Sequence, residues 1–446
     1  MHMSHTSMTT IMDDVTREGR SSNQCDNFCV RRTTLYTALK PFLVSMKVAG
    51  LYHFKQFKVC DSDKAEENDD TTQRKKYVGI KLTPSMVYTA TLCTVLCMNV
   101  LRVLSAFKKH ADTFDLPGFL FDIVLISWNI NCAINAIACF LACYKFEGLT
   151  KLFLENDKLQ GICTDERHLV TCRRRAIVYT IGSWVLVWLN IFVGIYMTFA
   201  TSLLDSLIAP ADGNDRFVVI YRSLYVALHS FLSCAWLFPM VFFYIICKIL
   251  CDRFDKFNGD FKRAIRANDN NLPMGFSAYR QRHVSLCKLV SYADEFLSII
   301  SGSSLGISAL QITINVYSLI WNDQLHNDVT SLVVVLFWTA GACSSIAIIC
   351  IGAALVNGKA HASLDLVHSA TFSRDYTREE EFQVQLFVAK LNGPQIGLTA
   401  LKMFVVDKPT ILTLLSLLMT YFVIIVQFSP SFAGGSTQCH CNGTVL

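Results

Sequence analysis

Seven long apolar runs constrain this chain more than any other feature: 86–104, 119–144, 176–200, 221–250, 296–321, 329–356 and 410–428. A helix needs about 20 such residues to cross a bilayer, because every backbone N–H and C=O in lipid must be satisfied within the segment. Hydrophobic residues make up 52% of the chain and charged residues 17%, too apolar a balance for an ordinary soluble domain. The expectation is an all-α membrane protein with seven transmembrane helices. An earlier stretch, 38–54, is interrupted by Lys40, Pro41 and Lys47 and reads as an interfacial or cytosol-side helix, not a span.

Orientation follows from the basic residues, which are retained on the cytoplasmic side. Of the 40 Lys and Arg residues, only Arg102, Lys108, Lys109, Arg216 and Arg222 lie outside the four segments 1–81, 145–175, 248–295 and 357–408. The first thirty residues are polar, without the apolar core of a signal peptide. The N-terminus is therefore expected in the cytosol and the C-terminus outside the cell. One glycosylation sequon, at Asn442, falls in the expected outer tail.

The expected organisation is a cytosolic N-terminal segment 1–81, a bundle of six spans over 82–356, cytosolic anchor helices over 357–408, a seventh span over 409–428 and an outer tail 429–446. Segments 248–295 and 357–408 contain "RFDKFNGDFKRAIRA" and "YTREEEFQVQLFVAKL", which read as helices projecting into the cytosol.

No phosphate-cradling glycine loop, HExxH, paired-cysteine zinc spacing or nucleophile elbow occurs. The expectation is no enzyme, no cofactor and no metal. Cys439-His440-Cys441 places three donors in consecutive positions, which cannot by themselves close a tetrahedral site. Ten of the 18 cysteines fall in or beside apolar runs and read as small hydrophobes. The net charge of +5 is modest, and acidic residues from Asp61 to Asp70 adjoin Arg74-Lys75-Lys76, so nothing argues for nucleic acid.

Polar groups inside the spans are more informative, since an unpartnered one costs several kcal/mol in lipid. Asp122, Asn129, Asn131, Asn135, His229, Gln311 and Asn315 have two readings. They hydrogen-bond between helices, or they line a small-molecule cavity. The expected topology puts Asp122, Tyr196, His229, Gln311, Asn315, Tyr317 and Trp338 in the outer halves of their helices, with Trp128 near mid-membrane. That layer is the candidate ligand pocket. In the last span, Thr420, Ile424 and Gln427 share one narrow helical face while Tyr421 points elsewhere. Such a stripe serves a helix–helix contact or lines an aqueous path in a symmetric oligomer.

Thr420-Tyr421, five apolar residues and then Gln427-Phe428 resembles the final motif of the animal gustatory receptor and gustatory-receptor-like family. The resemblance extends through 386–428, similar to that family's last cytosolic helix, linker and seventh span, and to "LYTALKPFLVSMKVAGLYHF" near the N-terminus. It implies a ligand-gated, non-selective cation channel in the plasma membrane, assembled as a homo- or heterotetramer around a pore lined by the seventh span. It further implies a pore constriction at Gln427, an apolar gate at Ile424, and a pocket among spans two to six. The implied partners are a tastant-like small molecule, permeating cations and membrane lipids.

A receptor coupled to G proteins or to light sensing is the alternative. Against G-protein coupling, Asp252-Arg253-Phe254 follows the fourth span rather than the third, and no Asn-Pro-x-x-Tyr ends the seventh. A secondary transporter fits less well, for want of an internal repeat or a buried charge pair.

Overall fold

A computed structural model describes residues 33–53, 56–57, 80–81, 83–110, 116–144, 148–160, 166–200, 215–321, 325, 328–371 and 377–427. In chain order the elements are α1 (Thr34–Val48), β1 (Gln56–Phe57), β2 (Ile80–Lys81), α2 (Pro84–His110), α3 (Leu116–Tyr144), α4 (Gly148–Gln160) and α5 (Glu166–Ala200). They continue with α6 (Asp215–Ala267), α7 (Phe276–Trp321), α8 (Val329–Ser369), α9 (Arg378–Asn392), β3 (Thr399–Ala400), β4 (Phe404–Val405) and α10 (Lys408–Gln427). The strands form two antiparallel pairs, β1 with β2 and β3 with β4.

Each of the seven apolar runs coincides with a helix long and apolar enough to cross a membrane: α2, α3, α5, α6, α7, α8 and α10. The outer face of α5 explains why lipid is the right solvent. Val178, Ile181, Val185, Trp188 and Phe192 are all exposed there, a continuous apolar stripe no aqueous surface would carry. Inside the bundle, polar side chains bind helix to helix. Asn99 donates to the Asn129 side chain at 2.7 Å, and Ser304 donates to the Asn131 side chain at 3.3 Å.

The longest helices, α6, α7 and α8, reach far beyond the bilayer. At 53 residues, α6 is about 80 Å long against a hydrocarbon core of about 30 Å. The helical "RFDKFNGDFKRAIRA" is thus an unbroken continuation of the fourth span. Its Phe254, Phe257, Phe261 and Ile265 recur at helical spacing on one face and are buried against Phe276 of α7 and Phe387 of α9. Ring centroids lie 5.9 Å apart for Phe261–Phe276 and 5.4 Å for Phe276–Phe387. At the α6–α7 turn, Asp269 and Asn270 take positive φ, which their short polar side chains tolerate. Helix α9 opens on a capping box between Thr377 and Glu380.

The interrupted stretch near the N-terminus is α1. Leu35, Ala38, Leu39, Phe42, Leu43 and Met46 bury one face of it, packed against α4 and α5. That face is covered by protein, while Val44 and Val48 on the other side of the helix are exposed. The described cysteines within the apolar runs are free thiols, and no metal-binding cluster occurs among the described residues. Cys439-His440-Cys441, the Asp61–Asp70 stretch, Asn442 and Phe428 lie outside the described residues.

Candidate functional site

Helices α3, α5, α6, α7 and α8 line a pocket with about 620 Å³ of atom-free space, open solvent included. Trp128, His229, Gln311, Asn315 and Trp338 line it, five of the eight residues expected there. Asp122 is buried on α3 and Tyr317 half-buried on α7, yet neither reaches the lining. Tyr196 is exposed on the outside of α5. Helix geometry explains the last case: Asn190, Gly194 and Met197 share the inward face of α5, and Tyr196 lies about 200° around the helix from Gly194.

The cavity wall is aromatic with two buried polar openings. The His229 ring is tilted against Trp128 with centroids 5.2 Å apart and lies 6.0 Å from the Tyr225 ring. Its Nε2 is 3.2 Å from the Asn190 carbonyl oxygen, which only accepts, so Nε2–H donates and Nδ1 is the bare acceptor. Among the described residues Nδ1 has no partner, and neither does Nδ2 of Asn315. Asn190 is fixed in turn by donating from Nδ2 to Ser233 Oγ at 2.7 Å. The approach of His229 depends on Gly194, where a Cβ would meet the imidazole at 2.4 Å. A buried acceptor and donor within an aromatic enclosure suit a small molecule that is largely apolar with one or two polar groups.

Sequence reasoning missed Asn190, Gly194, Met197, Tyr225 and Trp236, all of which line the cavity. Asn190 was open to discovery, being a lone amide in the third apolar run with Gly194 one turn on.

A second constellation lies away from the cavity, at the middle of α7 and the later half of α8. The linker from α9 to α10 folds as the β3–β4 hairpin, whose turn holds Leu401 and Lys402 at φ of 50° and 60°. Non-glycine residues enter that region at a cost, and surrounding bonds hold these two there. Asp294 of α7 accepts from the Thr399 backbone N–H at 2.6 Å and from its hydroxyl at 2.9 Å, and it pairs with Lys402. Leu401 N–H donates to the Ser298 carbonyl at 2.8 Å, while Ser301 Oγ donates to the Thr399 carbonyl at 2.8 Å. From α8, Asn357 donates to the Ile396 carbonyl, and the His361 ring accepts from the Ile396 N–H, both at 3.1 Å. Asp407 then caps α10 by accepting from the Thr410 N–H and hydroxyl.

Helix α10 itself contains no buried residue. It meets the bundle through Ile411 and Leu414, near its start. Its half-buried positions Ile411, Leu414, Leu418 and Ile425 form one face. Thr413, Ser416, Thr420, Ile424 and Gln427 lie within about 80° of arc on the opposite face, all exposed. Thr413 and Thr420 return their hydroxyls to carbonyls four residues back. Among the described residues, nothing in the chain partners the Gln427 amide.

No curated protein matches the sequence closely enough to count as a relative. Among solved structures, the fold is similar to that of the insect olfactory receptor OR5 from Machilis hrabei, with a TM-score of 0.67 and 12% identity over 89% of this chain and 99% of that one. A second structure of OR5, in complex with eugenol, matches with a TM-score of 0.66 and the same identity and coverage. At that identity the likeness speaks for the fold. The model of the 7tm chemosensory receptor family matches residues 39–432, nearly the whole chain. That family is one of receptors and not of enzymes, and seven membrane-capable helices make the chain a multi-pass membrane protein. This chain belongs to the 7tm chemosensory receptor family.

Proposed function

We propose that the protein is a ligand-gated cation channel in which the cavity receives a small organic molecule and α10 lines a pore at the centre of a tetramer. The observation that carries this reading is the polar stripe of α10, directed away from the chain's own bundle. In a lone subunit that stripe leaves the Gln427 amide at the outer end of the span with no protein partner among the described residues. Around a four-fold axis it faces water instead, with Gln427 amide dipoles replacing part of an ion's hydration and Ile424 forming an apolar constriction beside them. Phe428 closes the motif, and Tyr421 lies to one side of the stripe.

The path from cavity to pore is physical. Gln311 and Asn315 of α7 line the cavity, and Asp294, Ser298 and Ser301 of the same helix grip the hairpin leading to α10. Helix α8 repeats the arrangement with Trp338 and Ala342 at the cavity and Asn357 and His361 at the linker. A ligand that binds the open state better shifts α7 and α8, and the clamp carries that shift to α10.

The Lys and Arg distribution supports a cytosolic N-terminus, an extracellular Asn442 and a cytosolic assembly of the α6–α9 extensions. OR5 has been seen with eugenol, which supports a small organic ligand here. Voltage-clamp recording from cells expressing the protein, against a panel of small odorant and tastant molecules and with light as a further stimulus, tests the reading. A cation current evoked by at least one compound is expected. A response that needs G proteins and persists with no membrane current of the receptor's own would defeat it.

A further inference from the structure

At the end of the apolar portions of α5 and α6, beside α1, lies a second groove with about 470 Å³ of atom-free space. Its two halves differ in chemistry. Leu39, Ala176, Tyr179, Ile245 and Ile249 make one side apolar, while Arg175, Lys248 and Arg253 make the other cationic. Asp252 pairs with Arg175 at 2.6 Å and with Lys248 at 3.3 Å. Arg253 donates through Nε to the Asn156 side chain at 2.9 Å and also feels Asp157, which is occupied with the first turn of α1. Arg173 and Arg174 are exposed just before the groove, so positive charge prevails.

The level of the groove is marked on both helices. On α5 the run Arg173-Arg174-Arg175 gives way at once to Ala176-Ile177-Val178, whose Ile177 and Val178 are exposed. On α6, Ile245-Ile246-Cys247 gives way to Lys248. Cations on one side and exposed aliphatic surface on the other is the profile of a membrane interface at the depth of the headgroups.

We propose that this groove binds one anionic phospholipid, its phosphate and acidic headgroup on Arg175, Lys248 and Arg253 and its upper acyl chain along Ile245, Ile249 and Tyr179. A zwitterionic lipid offers the same chain but no net charge to the cationic wall. A free phosphate offers the charge but leaves the apolar wall uncovered. The lipid would join α1, α5 and α6 at the membrane surface, away from both the cavity and α10.

Native mass spectrometry of the full chain, released from nanodiscs of mixed phosphatidylcholine and phosphatidylserine, tests this. Wild type is expected to retain phosphatidylserine in preference. Lys248→Gln leaves the Arg175–Asp252 pair in place and is expected to reduce that retention about fivefold or more, whereas Lys248→Arg keeps it. Any of three results overturns the proposal: equal retention of both lipids by wild type, retention unchanged in Lys248→Gln, or equal loss in Lys248→Arg. Displacement of the lipid by millimolar inorganic phosphate overturns it as well, marking an anion site without a lipid.

Discussion

The Asp294 carboxylate accepts the Thr399 backbone N–H at 2.6 Å, tying the middle of α7 to the hairpin that delivers α10. The same carboxylate also takes the Thr399 hydroxyl and the Lys402 ammonium. A buried carboxylate accepting from Thr399 is worth more than an ordinary hydrogen bond, about 1.5–3 kcal/mol for each charge-assisted contact, while the half-exposed Lys402 ammonium adds less than about 1 kcal/mol. Asp294→Asn should therefore loosen the transmission step while leaving the cavity untouched. The expected outcome is a ligand-evoked current reduced several-fold at normal surface expression, with binding of the ligand unchanged.

Gly302 tests the same joint by volume. A Cβ there would lie 2.3 Å from Leu401 Cγ and 2.7 Å from its backbone nitrogen. Gly302→Ala should displace the hairpin and suppress gating, and Gly306→Ala, where a Cβ meets open space on the same helix, should not. Comparing maximal currents of the two variants at matched surface expression checks the pair.

In the cavity, His229→Leu removes the buried acceptor and Trp338→Ala removes an aromatic wall. Each is expected to raise the half-maximal ligand concentration about tenfold or more, the equivalent of about 1.4 kcal/mol. Tyr196→Ala, on the outside of α5, should leave the dose–response curve in place. A shift with Tyr196→Ala equal to that with His229→Leu would place the ligand elsewhere.

Phe261 is fully buried among Phe257, Phe276, Tyr279 and Phe387, where α6, α7 and α9 meet. Phe261→Ala should cost about 3–5 kcal/mol. It should be seen as earlier thermal aggregation of the detergent-solubilised protein.

Asp407 gives a pH dependence. Partial desolvation pushes its carboxyl up, but the Thr410 hydroxyl and N–H together with the Gln395 amide outweigh that and hold it below the usual carboxylate range. A carboxyl depressed by folding stabilises the fold above its unfolded pKa of about 4, and that contribution is lost as pH falls through the folded value. Asp407→Ala should cost about 1 kcal/mol near neutral pH. The stability gap from wild type should stay constant between about pH 5 and 8 and close below about pH 4, as thermal unfolding at each pH would show.

Much of the fold was written in hydropathy. The seven spans and the helical "RFDKFNGDFKRAIRA" follow from apolar runs and helical spacing, signals local to the chain. What the sequence concealed was which way a residue faces when a helix is apolar all round. On α5, Tyr196 and Asn190 both interrupt an apolar run, yet the Asn190 side chain turns inward to Ser233 and Tyr196 to the outside. That choice is made by packing partners far away in sequence. The clamp was hidden for the same reason, since Asp294 and Thr399 meet only when the α9–α10 linker folds back on α7. The stripe on α10 was half visible: Thr420, Ile424 and Gln427 came from spacing alone, whereas the opposing packed face at Ile411 and Leu414 required the structure.

The most direct test of the central claim is single-channel recording from the wild type, Gln427→Ala and Gln427→Arg at confirmed surface expression. If four Gln427 side chains ring the pore, Gln427→Ala changes unitary conductance and the relative permeability of cations, and Gln427→Arg, adding a ring of positive charge, nearly abolishes cation current. Unaltered conductance and selectivity in both variants would contradict the account.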